Sequence, residues 1–141
     1  MSHGSGTLRR AACAALLVGT LWGQAAAAQG LLDEQTTQLL VDAVEAAVEL
    51  DLYNARCRSD QSGRRTDNLN KLLASRFRIT VIGVQDRYFP ERSYRKAKER
   101  IQNDLLERLK TAGGCTEAKT GLRDALEARY DETLRALEAL P

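Results

Sequence analysis

The chain has 141 residues, with 21 basic side chains, 19 acidic side chains and a single histidine. Its only His, Met and Trp (His3, Met1 and Trp22) lie near the start, so residues 29–141 contain none of the three and have two cysteines. For that part of the chain, this composition excludes His-dependent catalytic triads, haem ligation by His or Met, and most zinc sites.

Residues 1–28 have the three regions of a secretory signal peptide. Arg9 and Arg10 supply the positive start, and residues 26–28 are alanines that fit a cleavage site. The apolar run between them, of about 11 residues, is too short to span a bilayer. We predict export, with residues 29–141 as a single helical domain without a transmembrane segment. Arg outnumbers Lys by 16 to 5, which is typical of a GC-rich bacterial genome and favours a periplasmic or secreted bacterial protein.

Cleavage would leave 19 basic and 19 acidic residues, distributed unevenly. Residues 54–110 carry 15 bases and seven acids, whereas the segments on either side are acidic. Charge pairing between neighbouring helices explains this pattern, and a basic surface is the alternative. Because the net charge is zero, we predict no nucleic-acid partner.

Helical periodicity dominates the rest of the chain. A first helix is predicted over about 33–56 and a second over about 67–88, capped by Thr66 or Asp67. The β-branched run at 79–84 is also typical of a strand, but the chain offers this strand no partner, so a helix is predicted.

Pro90 ends the second predicted helix, and Ser93 caps a third over about 93–111, with Tyr94 on its apolar face. Gly113 and Gly114 stop that helix before a fourth, over about 116–139, which Thr116 would cap. Four amphipathic helices with short connections predict an all-α protein, an antiparallel four-helix bundle.

The two remaining cysteines fit this topology. Cys57 ends the first helix and Cys115 precedes the fourth, so both lie at the same pole of an up-down-up-down bundle. In an oxidising compartment this placement predicts one disulfide.

Motifs of catalysis are missing from residues 29–141. There is no Gly-x-Ser-x-Gly elbow, no phosphate-binding glycine loop and no Glu-x-x-His pair. We therefore predict a protein that is not an enzyme and uses no cofactor or metal. A carboxylate-based hydrolase stays open as an alternative, since such enzymes need only two acidic residues.

Three groups of residues are candidates for binding. An arginine-rich loop leading into a helix N-terminus suits a small anion such as phosphate, a lipid phosphate or a cell-wall carboxylate; its residues are Arg56, Arg58, Arg64, Arg65 and Thr66. A basic stripe on the third helix is typical of a solvated face; it consists of Arg92, Lys96 and Arg100. An apolar strip opposite the main stripe of the second helix is either core or a partner surface; it consists of Leu72, Ile79 and Ile82.

The leading functional hypothesis from these patterns is a small exported interaction protein, adaptor-like or chaperone-like. Its partner would be another periplasmic or envelope protein, or a second copy of itself. Binding of a small anion through the arginine-rich loop is the first alternative, and atypical hydrolysis is the second.

Overall fold

A computed structural model of the protein describes residues 32–119 and 121–141, so the predicted signal peptide lies outside the described residues. The described part is all-helical, as predicted, and contains no strand. Its five α-helices are α1 (Glu34–Cys57), α2 (Arg64–Arg76), α3 (Val81–Arg87), α4 (Tyr94–Thr111) and α5 (Leu122–Ala139). A 3-10 turn at Glu117–Lys119 precedes α5.

Helix α1 is the centre of the fold. It contacts each of the other four α-helices, most extensively α5. This is possible because small and apolar residues cover much of its circumference; Leu40, Ala43, Val44, Ala47 and Leu50 are all at most 1% exposed. A helix that is apolar on several sides must be surrounded by other elements.

The second predicted helix is wrong in its length, because two helices occupy that stretch. Arg78 adopts a left-handed conformation (φ 56°), which ends α2. The side chain of Thr80 then caps α3 by accepting a hydrogen bond from the Gly83 N–H, at 3.0 Å. The described residues therefore hold five helices and not four.

Two predicted helix starts also differ from the structure. Helix α2 begins at Arg64, after Gly63 in a left-handed conformation (φ 61°), so neither Thr66 nor Asp67 is its cap. Helix α5 begins at Leu122, because the segment predicted to start it forms the 3-10 turn instead. The predicted cap of α4 is confirmed, since the Ser93 side chain accepts a hydrogen bond from the Lys96 N–H.

The predicted disulfide is confirmed. Cys57 and Cys115 are bonded, with their Cα atoms 5.3 Å apart, and they join the end of α1 to the segment after α4. Both cysteines pack against a small apolar cluster that includes Leu50, Leu109 and Leu126. In the residues that the structure covers, no helix is long and apolar enough to cross a membrane.

Candidate functional site: a groove beside the central helix

A groove opens on the surface where α2, α3 and α4 surround α1. It contains a cavity of about 330 Å³, within the size range of small ligand sites. Val48, Leu52 and Ala55 of α1 and Val81 of α3 line it, together with the exposed Ile82. Much of the floor of the groove is therefore apolar, with the buried Gln85 as a polar group beside these side chains.

The rim of the groove carries Ile82 of α3 and Tyr94 of α4, each 51% exposed. Among the described residues these are the large apolar side chains left exposed. Ile82 faces outward because its neighbour Val81 and the more distant Val84 turn into the core on this short helix. Tyr94 is held at the start of α4, where its N–H donates to Asp86 Oδ1 at 2.8 Å.

The groove continues along α1 and α4. A second cavity of about 220 Å³ shares Leu52, Ala55 and Gln61 with the first, and its other lining residues include Gln102 and Leu106. Along α4 the lining thus extends from Tyr94 to Leu106, a distance of about 18 Å at 1.5 Å per helical residue. The site is an elongated groove and not a closed pocket.

Three aspartates, Asp51, Asp60 and Asp67, line the groove around the N-terminus of α2, and we call them the acidic wall. The Asp51 carboxylate accepts hydrogen bonds from the Arg65 N–H (3.2 Å) and the Thr66 N–H (2.8 Å). Hydrogen bonds from Ser62, and then from Arg65, hold the pKa of Asp60 below its usual value. Asp60 therefore stays negatively charged at neutral pH.

Lys98, from α4, also lines the groove and is exposed. Tyr94 and Lys98, one helical turn apart, make up what we call the α4 wall. The groove thus has an apolar floor with carboxylates at the start of α2 and an ammonium group on α4.

The residues of the predicted anion site are not brought together as such a site. The N–H groups at the start of α2 that would bind an anion already donate to the Asp51 carboxylate. Arg65 Nη1 lies 3.3 Å from Asp60 Oδ2, and Arg58 Nη1 lies 3.8 Å from Glu127 Oε1. Arg56 and Arg64 are exposed. A carboxylate from α1 therefore occupies the helix N-terminus that the anion site would need.

The three residues of the predicted basic stripe lie in different surroundings. The Arg100 guanidinium binds Glu45 (2.7 Å), Asp104 (3.4 Å) and Glu91. Arg92 donates to the carbonyl of Arg87, whereas Lys96 is exposed. At Arg100 the structure thus shows charge pairing between helices.

Arg100 belongs to a larger ion-pair network in a cleft between α4 and α5. Glu45 and Glu49 of α1 lie at its centre, bound by Arg100 and Arg108 of α4 and by Arg129 of α5. Burial raises the pKa of Glu45, but hydrogen bonds and attraction from Arg100 and Arg129 outweigh this and lower it overall. Glu45 is therefore unsuited to act as a general acid, which requires a raised pKa.

The predicted apolar strip is split by the break at Arg78. Ile79 is only 7% exposed and belongs to the main core, and Leu72 is half-buried against that core. Ile82 alone among the three reaches the groove. Tyr94 lies on the rim and not on the buried face of its helix, and nothing in its local spacing distinguishes it from a core residue.

No group of three or more His, Cys, Asp or Glu side chains within the described segments is arranged to hold a metal ion.

No protein-family model matches the sequence, and neither the curated proteins nor the solved structures include a significant match. The groove is therefore interpreted from its own geometry.

Proposed function

We propose that this protein is an exported binding protein that holds a segment of another envelope protein in the groove. The observation that carries the proposal is the exposure of Ile82 and Tyr94 above the apolar floor of the groove. Soluble proteins rarely expose large contiguous apolar patches, and a patch that polar residues surround marks an interaction site. A partner segment would cover both side chains.

Export is proposed on two independent supports. The first 28 residues have the order of a signal peptide: a positive start, an apolar run and small residues at the cleavage site. The disulfide between Cys57 and Cys115 supports an oxidising compartment, since structural disulfides are rare in the cytosol. We place the protein in the periplasm or outside the cell.

Binding is favoured over the two alternative functions. Arg65 and the N-terminus of α2, which an anion would need, are occupied by aspartates. Glu45 and Glu49 are the carboxylates that line the cleft between α4 and α5, and each is bound by two arginines, which disfavours hydrolysis by this pair. The groove needs no such rearrangement, because Ile82 and Tyr94 on its rim already face solvent.

Photo-crosslinking in living cells tests the proposal. A photoreactive residue at Ile82 should form a discrete adduct with a protein of the envelope, and Tyr94→Ala should reduce the yield by removing half of the apolar rim. A photoreactive residue at Glu132, which is exposed on α5 and does not line the groove, is the matched control. Equal adducts at both positions, or none from the oxidised protein, would refute binding in the groove.

A further inference from the structure

The charges around the groove indicate what kind of segment it holds, given the proposed function on which this inference rests. We infer that the occupant is an amphipathic helix whose apolar stripe has basic residues on one edge and acidic residues on the other. The basic edge lies against Asp67 of the acidic wall, and the acidic edge lies against Lys98.

A helix is indicated because the groove is built mostly from helices. Their backbone N–H and C=O groups are bonded within each helix, and the described residues offer no strand edge to which an extended peptide could add. An occupant that needs no backbone partners is therefore required, and a helix satisfies its own. The groove length of about 18 Å corresponds to about 12 helical residues, enough for apolar anchors at positions i, i+4 and i+7.

The opposite edges follow from the charges that are free to pair. Asp67 is exposed and forms no ion pair with any residue of the described part of the chain. Lys98 is likewise exposed and has no ion-pair partner in residues 32–119 or 121–141. Charges of opposite sign on the two sides of an interface exclude wrong partners and fix the register of the right one.

The same asymmetry sets the direction in which the helix runs. If the helix runs in the opposite direction while its apolar face stays on the floor of the groove, its two edges exchange places. One direction therefore places the basic edge against Asp67, and the other places it against Lys98. Only the first arrangement forms favourable pairs. Arg56, which is exposed and lines the second cavity, adds a cation there and also favours acidic residues of the occupant.

Binding of three synthetic helical peptides to the purified, oxidised protein tests this inference. All three carry the same leucine stripe; the first has a lysine edge and a glutamate edge, the second has two lysine edges, and the third has two glutamate edges. Fluorescence anisotropy of labelled peptides gives the Kd. We expect the first peptide to bind most tightly, by roughly threefold to tenfold, because each misplaced rim charge changes affinity only modestly.

Neutralising variants sharpen the test. Asp67→Asn should weaken binding of the two-lysine peptide by roughly threefold and leave the two-glutamate peptide unchanged or tighter, and Lys98→Gln should do the opposite. Asp131→Asn and Lys110→Gln are the matched controls, because both residues are exposed and neither lines the groove. Both controls should leave every Kd unchanged.

The outcomes separate this inference from the proposed function. Equal binding of all three peptides would overturn the charge assignment while leaving the groove as a binding site. No binding of any peptide, combined with a discrete adduct at Ile82, would overturn the helical occupant alone. An Ile82 adduct formed with a second copy of the chain would replace the helix by a self-association surface.

Discussion

A substitution at Glu49 tests the ion-pair network most directly. Its side chain is only 4% exposed and is bound by Arg108 and, at 3.1 Å, by Arg129. Glu49→Gln keeps the volume of the side chain but removes its charge. It thereby tests whether the network stabilises the packing of α4 and α5 against α1.

The size of the effect can be worked from these contacts. Each hydrogen bond to a charged group contributes about 1.5–3 kcal/mol, so two contribute about 3–6 kcal/mol at most. The side chains of Arg108 and Arg129 are 43% and 37% exposed, so both guanidinium groups recover bonds to water when the carboxylate is lost. The glutamine oxygen also still accepts one bond. We therefore expect a loss of about 2–3 kcal/mol in the free energy of unfolding.

Thermal and urea unfolding followed by circular dichroism at neutral pH, with the disulfide intact, would measure this loss. For a domain of roughly 110 residues, a loss of about 2.5 kcal/mol corresponds to a fall in Tm of about 10 °C. Glu127→Gln is the control, because its partners Arg123 and Arg58 are at the surface, and it should cost less than about 1 kcal/mol. If Glu49→Gln were as stable as the control, desolvation of Glu49 would cancel its ion pairs and the reasoning would be refuted.

Three further predictions use the same unfolding assay. The folded-state pKa of Glu45 is lowered, so the ionised carboxylate stabilises the fold above its ordinary pKa of 4.5, and this stabilisation is lost as the pH falls through the lower folded value. As the pH is lowered, Tm should therefore decline less in Glu45→Gln than in the wild type. Parallel declines of Tm in the two proteins would contradict this linkage. The double variant Cys57→Ala, Cys115→Ala should lower the free energy of unfolding by about 4 kcal/mol, since the disulfide joins residues separated by 58 positions in the sequence. An unchanged urea midpoint would show that the disulfide does not constrain the unfolded chain. Arg78→Gly should raise the free energy of unfolding by about 0.5–1 kcal/mol, because glycine adopts the left-handed conformation at φ 56° without strain. Gly113→Ala should lower it, because alanine would be strained at φ 88°. If Arg78→Gly instead lost stability, contacts of the arginine side chain would outweigh the strain.

Local spacing alone was enough to predict much of this fold. The periodicity of apolar residues located α1 and α4 to within one residue at each end, and Ser93 was recognised as a cap. The pairing of Cys57 with Cys115 followed from the order of the helices. These features depend on residues three or four positions apart, or on the order of the helices along the chain, so they can be read without knowing which helices touch.

The tertiary structure decided the features on which the proposed function depends. The break at Arg78 places an arginine where glycine or asparagine is usual, so it leaves no sequence signal. Asp51 cancels the predicted anion site from 14 and 15 residues away, and Arg129 reaches Glu49 across 80 residues. The exposure of Ile82 and Tyr94 likewise depends on where α3 and α4 meet α1. A contact between distant residues is set by the packing of whole helices, and no local pattern specifies which polar groups that packing will bring together.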